Sequence, residues 1–401
     1  MSNNKILVVS ELIPPDYSGA GISAKAIARY LDEKGRLFAL LTRTSKKEIN
    51  AKEPLDEQKI VRLKFAIQKL RRTKHPILKP LYQSTLSVYF FFFALYFVTK
   101  NRKKFDMAFF VSYRWLTFFI AVFCKLYKKK FIIETTLIGQ DDPMGFMGGK
   151  YIFFRKRMKA FLFKNAYKVT NISSGLAEKC IDFGLPREKV FVIPRGVKAD
   201  NDPMLTTEKK MFLRKKLNIP EKSYPVILFV GALTLRKGID IVYETYLMLK
   251  QYYPNMMLLL AGIDDQHEYM DKINFECQKQ KGNNIKKLGV TQNVDDYMKV
   301  SDVLFFPSRN EGFGRVFIEA MAVGLPVVCK KIHGVTDDIF PGHKKEAIVL
   351  DSDHPEAFYN AIVGFLADSS LQSTLKKNAR DQFNKRFSQD IIFAKYDELF
   401  S

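Results

Sequence analysis

Cysteine is scarce in this 401-residue chain: Cys124, Cys180, Cys277 and Cys329 lie far apart, with no Cys-x-x-Cys pair, and none of the five histidines stands at metal-ligand spacing. That excludes a disulfide-stapled scaffold and a zinc ribbon; the thiols read as buried and reduced, as in a cytosolic protein. Tryptophan occurs once, and there is no low-complexity tract. Acidic residues are short in one half only: residues 1–200 hold 16 against 38 Lys and Arg, a net of +22, whereas residues 201–401 hold 26 against 27, a net of +1. Met1-Ser2-Asn3-Asn4-Lys5 runs at once into an apolar stretch, leaving no room for a secretory leader, so a cytoplasmic location is expected. A long apolar run is also missing. Leu81 to Thr99 carries no charge, but its polar first third leaves an apolar core shorter than the roughly 20 residues of a membrane span. A buried or interfacial helix is expected there, with insertion as the alternative.

The length allows two or three domains, each able to bury a core. Apolar runs of strand length alternate with helical patterns, the mark of a mainly parallel sheet. In the first half the strands fall at Lys5–Ser10, Leu37–Thr42, Ile60–Leu63, Met107–Val111, Phe131–Thr135, Lys168–Ile172 and Val190–Ile193. In the second they fall at Val226–Val230, Met256–Ala261, Ile285–Leu288, Val303–Phe306, Val327–Cys329 and Ala347–Leu350. The first strand leads through a Pro- and Gly-rich loop containing Gly19 and Gly21 into a helix from about Ile22 to Lys34, the opening of a doubly wound domain.

The most informative stretch is Phe305-Phe306-Pro307-Ser308-Arg309-Asn310-Glu311-Gly312-Phe313-Gly314, followed by a helical pattern to Val323 and the stop Gly324-Leu325-Pro326. Glu311 falls in the loop and Glu319, eight residues on, about two turns further along a similar side. Gly312 and Gly314 leave backbone N–H groups uncovered at a helix start, a place suited to phosphate oxygens.

These residues resemble the Glu-x7-Glu signature of the retaining nucleotide-sugar glycosyltransferases of the GT-B fold, with the second Glu followed by Ala320-Met321-Ala322. The resemblance implies two doubly wound Rossmann-like domains facing a cleft: residues 1–197 on the acceptor side, 198–384 binding the nucleotide sugar, and a C-terminal helix, 385–401, that returns to the first domain. Ile193-Pro194-Arg195-Gly196-Val197 is similar to the family's end of the first domain. It implies Glu319 on the ribose hydroxyls, a carboxylate having two acceptor oxygens for the task. Glu311 would lie near the transferred sugar, and Gly312, Phe313 and Gly314 would offer backbone contacts to sugar and phosphate. In Gly231-Ala232-Leu233-Thr234-Leu235-Arg236-Lys237-Gly238, Lys237 takes the place of the cation that steadies the leaving diphosphate. Ala232 stands where the family usually has Arg, and Arg236 is the candidate substitute. Leu288 and Val290, with Gly231, lie where an open sheet of this kind binds the base.

On the acceptor side the family often has a His after the fifth strand; here Thr135 to Pro143 has none. Asp141 and Asp142 remain, as contacts to sugar hydroxyls or as a turn pair before Pro143; two neighbouring carboxylates also permit a divalent metal, but the resemblance implies an enzyme that works without metal or cofactor. In Tyr151–Lys164, helical spacing puts Phe154, Met158, Phe161 and Leu162 on one stripe, with Lys156 and Lys159 opposite. Such a helix either lies on an anionic membrane or packs its apolar side inward.

The expected function is transfer of a sugar from a nucleotide diphosphate, UDP by preference, to a lipid-linked or glycan acceptor by a cytoplasmic protein held peripherally on the inner membrane face. Two other classes compete. One is a non-catalytic membrane-associated scaffold on the same fold. The other is a nucleic-acid binder using the basic half, against which no zinc, RNA-recognition or helix-turn-helix motif accompanies the charge.

Overall fold

The computed structural model of the chain describes residues 4–16, 19–44, 55–63, 78–111, 114–139, 141–145, 152–198, 205–278, 284–291, 293–342 and 345–401. It divides into two compact units, Met1–Pro194 with Phe393–Ser401, and Arg195–Ile392. Tyr17 and Ser18 of the first glycine loop, and Tyr151, lie outside the described residues.

Among the described residues, the first unit holds seven strands: β1 (Ile6–Ser10), β2 (Leu37–Thr42), β3 (Ile60–Arg62), β4 (Met107–Val111), β5 (Lys130–Thr135), β6 (Lys168–Asn171) and β7 (Val190–Val192). They form one parallel sheet in the order β3-β2-β1-β4-β5-β6-β7. Ile-Leu-Val-Val-Ser of β1 is buried at every residue, as a central strand covered by helices on both faces must be. The ladder pairs Val8 with Leu40 on one side and Phe109 on the other. One helical layer is made of Leu78–Asn101, Trp115–Leu126 and Ile152–Asn165. From these helices Phe90, Ala94, Phe97, Ile120, Cys124, Leu162 and Phe163 enter the core.

The second unit holds β8 (Val226–Val230), β9 (Met257–Ala261), β10 (Ile285–Gly289), β11 (Val303–Phe306), β12 (Val327–Lys330) and β13 (Ile348–Leu350), in the parallel order β10-β9-β8-β11-β12-β13. The order reverses between β8 and β11, where Ile227 pairs with Val303 and Leu228 with Leu304. Loops that leave the carboxyl ends of these two strands therefore run side by side, the position at which open α/β sheets bind ligands.

Sequence placed the second domain at 198–384, whereas the divide falls at Arg195 and Ile392. Val197 N–H donates to the Phe387 carbonyl (3.1 Å) and Gln389 N–H to that of Val197 (3.0 Å). A Cβ on Gly196 would stand 3.0 Å from the Ile392 side chain. Within the first unit, Tyr396 donates to Glu134 Oε1 at 2.5 Å and Arg36 to Asp397 Oδ1 at 3.1 Å. The Phe400 ring packs edge-on against Phe109 at 5.2 Å; the last nine residues belong to that unit, and Phe393, Tyr396, Leu399 and Phe400 are buried in it.

Candidate active site

Thr234 opens the turn after β8, its hydroxyl accepting the Lys237 N–H at 3.3 Å. Gly238 closes the turn at φ 77°, ψ 28°, a left-handed conformation that costs glycine little. It must also be glycine for space, since a Cβ there would lie 2.2 Å from the Pro307 carbonyl oxygen. This close approach seats the Lys237 turn on the loop that follows β11.

Two arginines tie the loops further. Arg236 Nη1 donates to the Asn310 carbonyl at 2.7 Å, and Arg309 N–H donates back to the Arg236 carbonyl at 2.9 Å. Arg309 also grips both oxygens of Asp240, at 2.8 and 2.7 Å, and reaches the Leu235 carbonyl at 2.5 Å. Arg236, the sequence candidate for a second diphosphate cation, is exposed and gives one guanidinium N–H to the loop backbone.

The result is an ion pair between Lys237 Nζ and Glu311 Oε1, with side chains only 15% and 9% exposed. Ser308, fully buried, donates its hydroxyl to the same carboxylate oxygen at 2.8 Å. Beneath the pair, Lys237 Nζ lies 5.2 Å from the Phe306 ring centre. A cation and a carboxylate held this way on adjacent loops can meet an anionic group and a polar ligand together.

Gly314, left-handed at φ 77° and ψ 58°, begins the helix Arg315–Ala322. A Cβ on it would meet the Phe317 ring at 2.5 Å. Phe313 points away, buried against Phe387, so only its backbone can serve a ligand. One helical turn in, Arg315 Nε donates to Glu319 Oε1 at 2.7 Å. Burial pushes the Glu319 carboxyl above its ordinary range, against the opposing pull of Arg315.

Gly231 ends β8, and Leu288 lies in β10 with Val290 just beyond it and exposed. The loops after β8 and β9 touch so closely that a Cβ on Gly262 would stand 1.7 Å from the Gly231 carbonyl oxygen. The Gly262 N–H donates to the Gly289 carbonyl at 2.8 Å, which brings Gly231, Leu288 and Val290 to one edge of the sheet.

In the first unit, Gly19 begins the helix Gly19–Glu33, and Gly21 admits no Cβ because the Leu12 carbonyl oxygen would lie 2.1 Å away. Asp142 accepts from Gly139 N–H (2.5 Å) and Met144 N–H (3.0 Å), so both its oxygens hold the turn. Asp141 accepts from the Thr136 hydroxyl, and burial pushes its carboxyl up, with Thr136, Arg114 and Lys159 pulling the other way. Lys159 departs from the sequence reading. It is buried, not on a solvated basic face, because its ammonium donates to the carbonyls of Asp142 (2.9 Å) and Gly145 (2.7 Å). Met158 and Leu162 of the same helix are in the core, so this helix packs its apolar side inward.

Ser308, Arg309, Asp240 and Arg315 were not singled out from sequence. Ser308 carried a signal, three residues before Glu311 in one loop; the partners of Arg309 and Asp240 become visible only when the two loops meet.

Residues 209–382 match the sequence model of the family described as glycosyl transferases group 1. An uncharacterized glycosyltransferase of Methanocaldococcus jannaschii is 26% identical over 292 residues, covering 69% of this chain and 71% of that one. The N,N'-diacetylbacillosaminyl-diphospho-undecaprenol alpha-1,3-N-acetylgalactosaminyltransferase of Campylobacter jejuni is 24% identical over 259 residues, covering 64% and 66%. In fold, the chain superposes on Anabaena HepE, solved with UDP and glucose, with a TM-score of 0.75, 21% identity and 99% coverage of each chain.

Proposed function

We propose that the chain is a retaining hexosyltransferase of the group 1 glycosyl transferases, a reading supported by the match of residues 209–382 to that family's sequence model and by the GT-B fold. The donor is a nucleotide diphosphate sugar, UDP-linked by preference, and the acceptor is lipid-linked or a glycan, reached at the cytoplasmic face of the membrane. The observation that carries the reading is the Lys237–Glu311 pair at the β8/β11 switch point, beside the Gly314 helix start.

Transfer breaks the bond between the anomeric carbon and the diphosphate oxygen, which leaves with the electron pair and new negative charge, and forms a bond to an acceptor hydroxyl oxygen, whose proton passes to the departing phosphate or to water. Lys237 meets that charge at the phosphate next to the sugar, where a fixed cation stabilises the transition state most. The uncovered N–H groups before Arg315 bind phosphate oxygens. Glu311, held by Ser308, faces the sugar as Lys237 shifts toward phosphate. Glu319 accepts the ribose hydroxyls and exchanges its Arg315 partner for them. The relative that acts on a diphospho-undecaprenol sugar, and the neighbour solved with UDP and glucose, support this choice of acceptor and donor. A thermal-shift panel of nucleotides and nucleotide sugars tests the donor class: a ligand of the folded state raises stability with the logarithm of one plus its concentration over its dissociation constant. A shift with UDP and UDP-sugars above that with ADP and GDP is expected; no nucleotide shift would remove the assignment.

A further inference from the structure

The helix Leu78–Asn101 has two apolar sides with different fates. Phe90, Ala94, Phe97 and Val98 are at most 7% exposed and built into the first unit's core. On the outward side Val88, Phe92 and Tyr96 stand 56%, 61% and 60% exposed, one turn apart, with Phe91 beside them at 38%. This stripe runs along about 12 Å of helix, eight residues at 1.5 Å each. Aromatic residues clustered on a surface in this way mark an interaction site.

The neighbouring helix Trp115–Leu126 lies alongside in the same direction: Phe91 meets Phe119 and Phe123 at 5.5 and 5.6 Å, and Thr99 meets Tyr127 at 2.9 Å. Both helices therefore end together. At that shared end stand exposed Lys100, Arg102, Lys103 and Lys104 from one helix end and Lys125 and Lys128 from the other, with Leu126 exposed among them. Lys100 also lies over the Tyr96 ring and donates to its hydroxyl at 2.7 Å, so charge and aromatic stripe are contiguous. Asp106, two residues past Lys104, is an acid at this end, and its carboxylate accepts the Lys5 backbone N–H at 2.8 Å.

We propose that this face, Val88–Tyr96 with the basic cluster at its end, is the surface by which the chain docks on an anionic lipid bilayer. The proposal rests on the membrane-face reading above and names the surface that serves it. Charge selects the occupant: the cluster attracts anionic headgroups through a salt-screened field, while exposed Phe and Tyr enter the boundary between headgroups and acyl chains. The same geometry gives peripheral attachment and not insertion, because the inward side of the helix is already committed to the sheet. Among the described residues no helix is long and apolar enough to cross a membrane.

The test is sedimentation of the full chain with phosphatidylglycerol-rich and with pure phosphatidylcholine vesicles, alongside gel filtration and a UDP thermal shift on the same preparations. Wild type should partition onto the anionic vesicles at low salt and leave them in high salt or at alkaline pH. Phe92→Ser with Tyr96→Ser should lower that partition by about tenfold or more, with the UDP response unchanged. Phe212→Ser, at a 72% exposed position of the second unit, should bind like wild type. Equal binding by the double variant, retention through alkaline wash, or a dimer in solution that the double variant dissociates would each overturn the docking face. Vesicle binding without a UDP response would instead fault the donor assignment and leave the docking face standing.

Discussion

Lys237 and Glu311, 74 residues apart in sequence, are joined by an ion pair at the carboxyl edge of the second sheet, and Ser308 braces the carboxylate from behind. In the donor site proposed above, each charge is the partner that a ligand would replace: an anion at Lys237 would free Glu311 for a second group, and the pair would link occupation of one subsite to readiness of the other.

The close contact at Gly238 is the mechanical basis of that pair. Gly238→Ala should cost roughly 1–3 kcal/mol for the left-handed backbone alone, and the 2.2 Å approach to Pro307 forces the loops apart as well. Urea unfolding should show the loss, together with weaker nucleotide binding. A variant of wild-type stability would mean that the two loops do not meet as described.

Glu319 gives a pH signature. Its carboxyl is pushed above the ordinary 4.5 by burial, so the folded chain keeps that proton to higher pH than the unfolded chain. The stability it contributes is therefore greatest below the ordinary value and falls as pH rises through the raised one. Glu319→Gln, which cannot ionise, should gain on wild type in thermal unfolding as pH rises above the ordinary carboxylate range, less the few tenths of a kcal/mol of an i,i+4 ion pair, about 0.2–0.5 kcal/mol. A wild-type advantage that grows with pH would contradict the shift. Glu319→Ala should separately weaken nucleotide affinity.

Much of this was legible in the chain. Val226–Val230 and Met107–Val111 read as strands because residues buried on both faces of a parallel sheet must be apolar throughout, and Gly324 with Pro326 marked where the helix after Gly314 stops. The pairing of Lys237 with Glu311 was not, since nothing local reports a contact between loops 74 residues apart. Lys159 misled because its helical position is that of a solvated face, while the carbonyls that bury it belong to a turn ending 14 residues earlier. The helix Leu78–Asn101 hid its outward stripe for the opposite reason: its stretch Val88–Val98 is apolar all round, so periodicity cannot tell the core side from the exposed one.

At the C-terminus, Tyr396→Phe removes a hydrogen bond donor from the buried Glu134 carboxylate. A cost of about 1–3 kcal/mol is expected in urea unfolding, with nucleotide affinity unchanged because Tyr396 belongs to the first unit. An equal loss of nucleotide affinity would contradict that separation.

The decisive measurement is the steady-state rate of UDP release from UDP-sugar in the presence of acceptor, compared between wild type and Lys237→Ala, with UMP affinity measured on both. Lys237 is assigned to the phosphate next to the sugar, which UMP lacks. The account predicts a fall in kcat of roughly 10²–10³ with UMP affinity nearly unchanged, whereas a near-wild-type kcat in Lys237→Ala would contradict it.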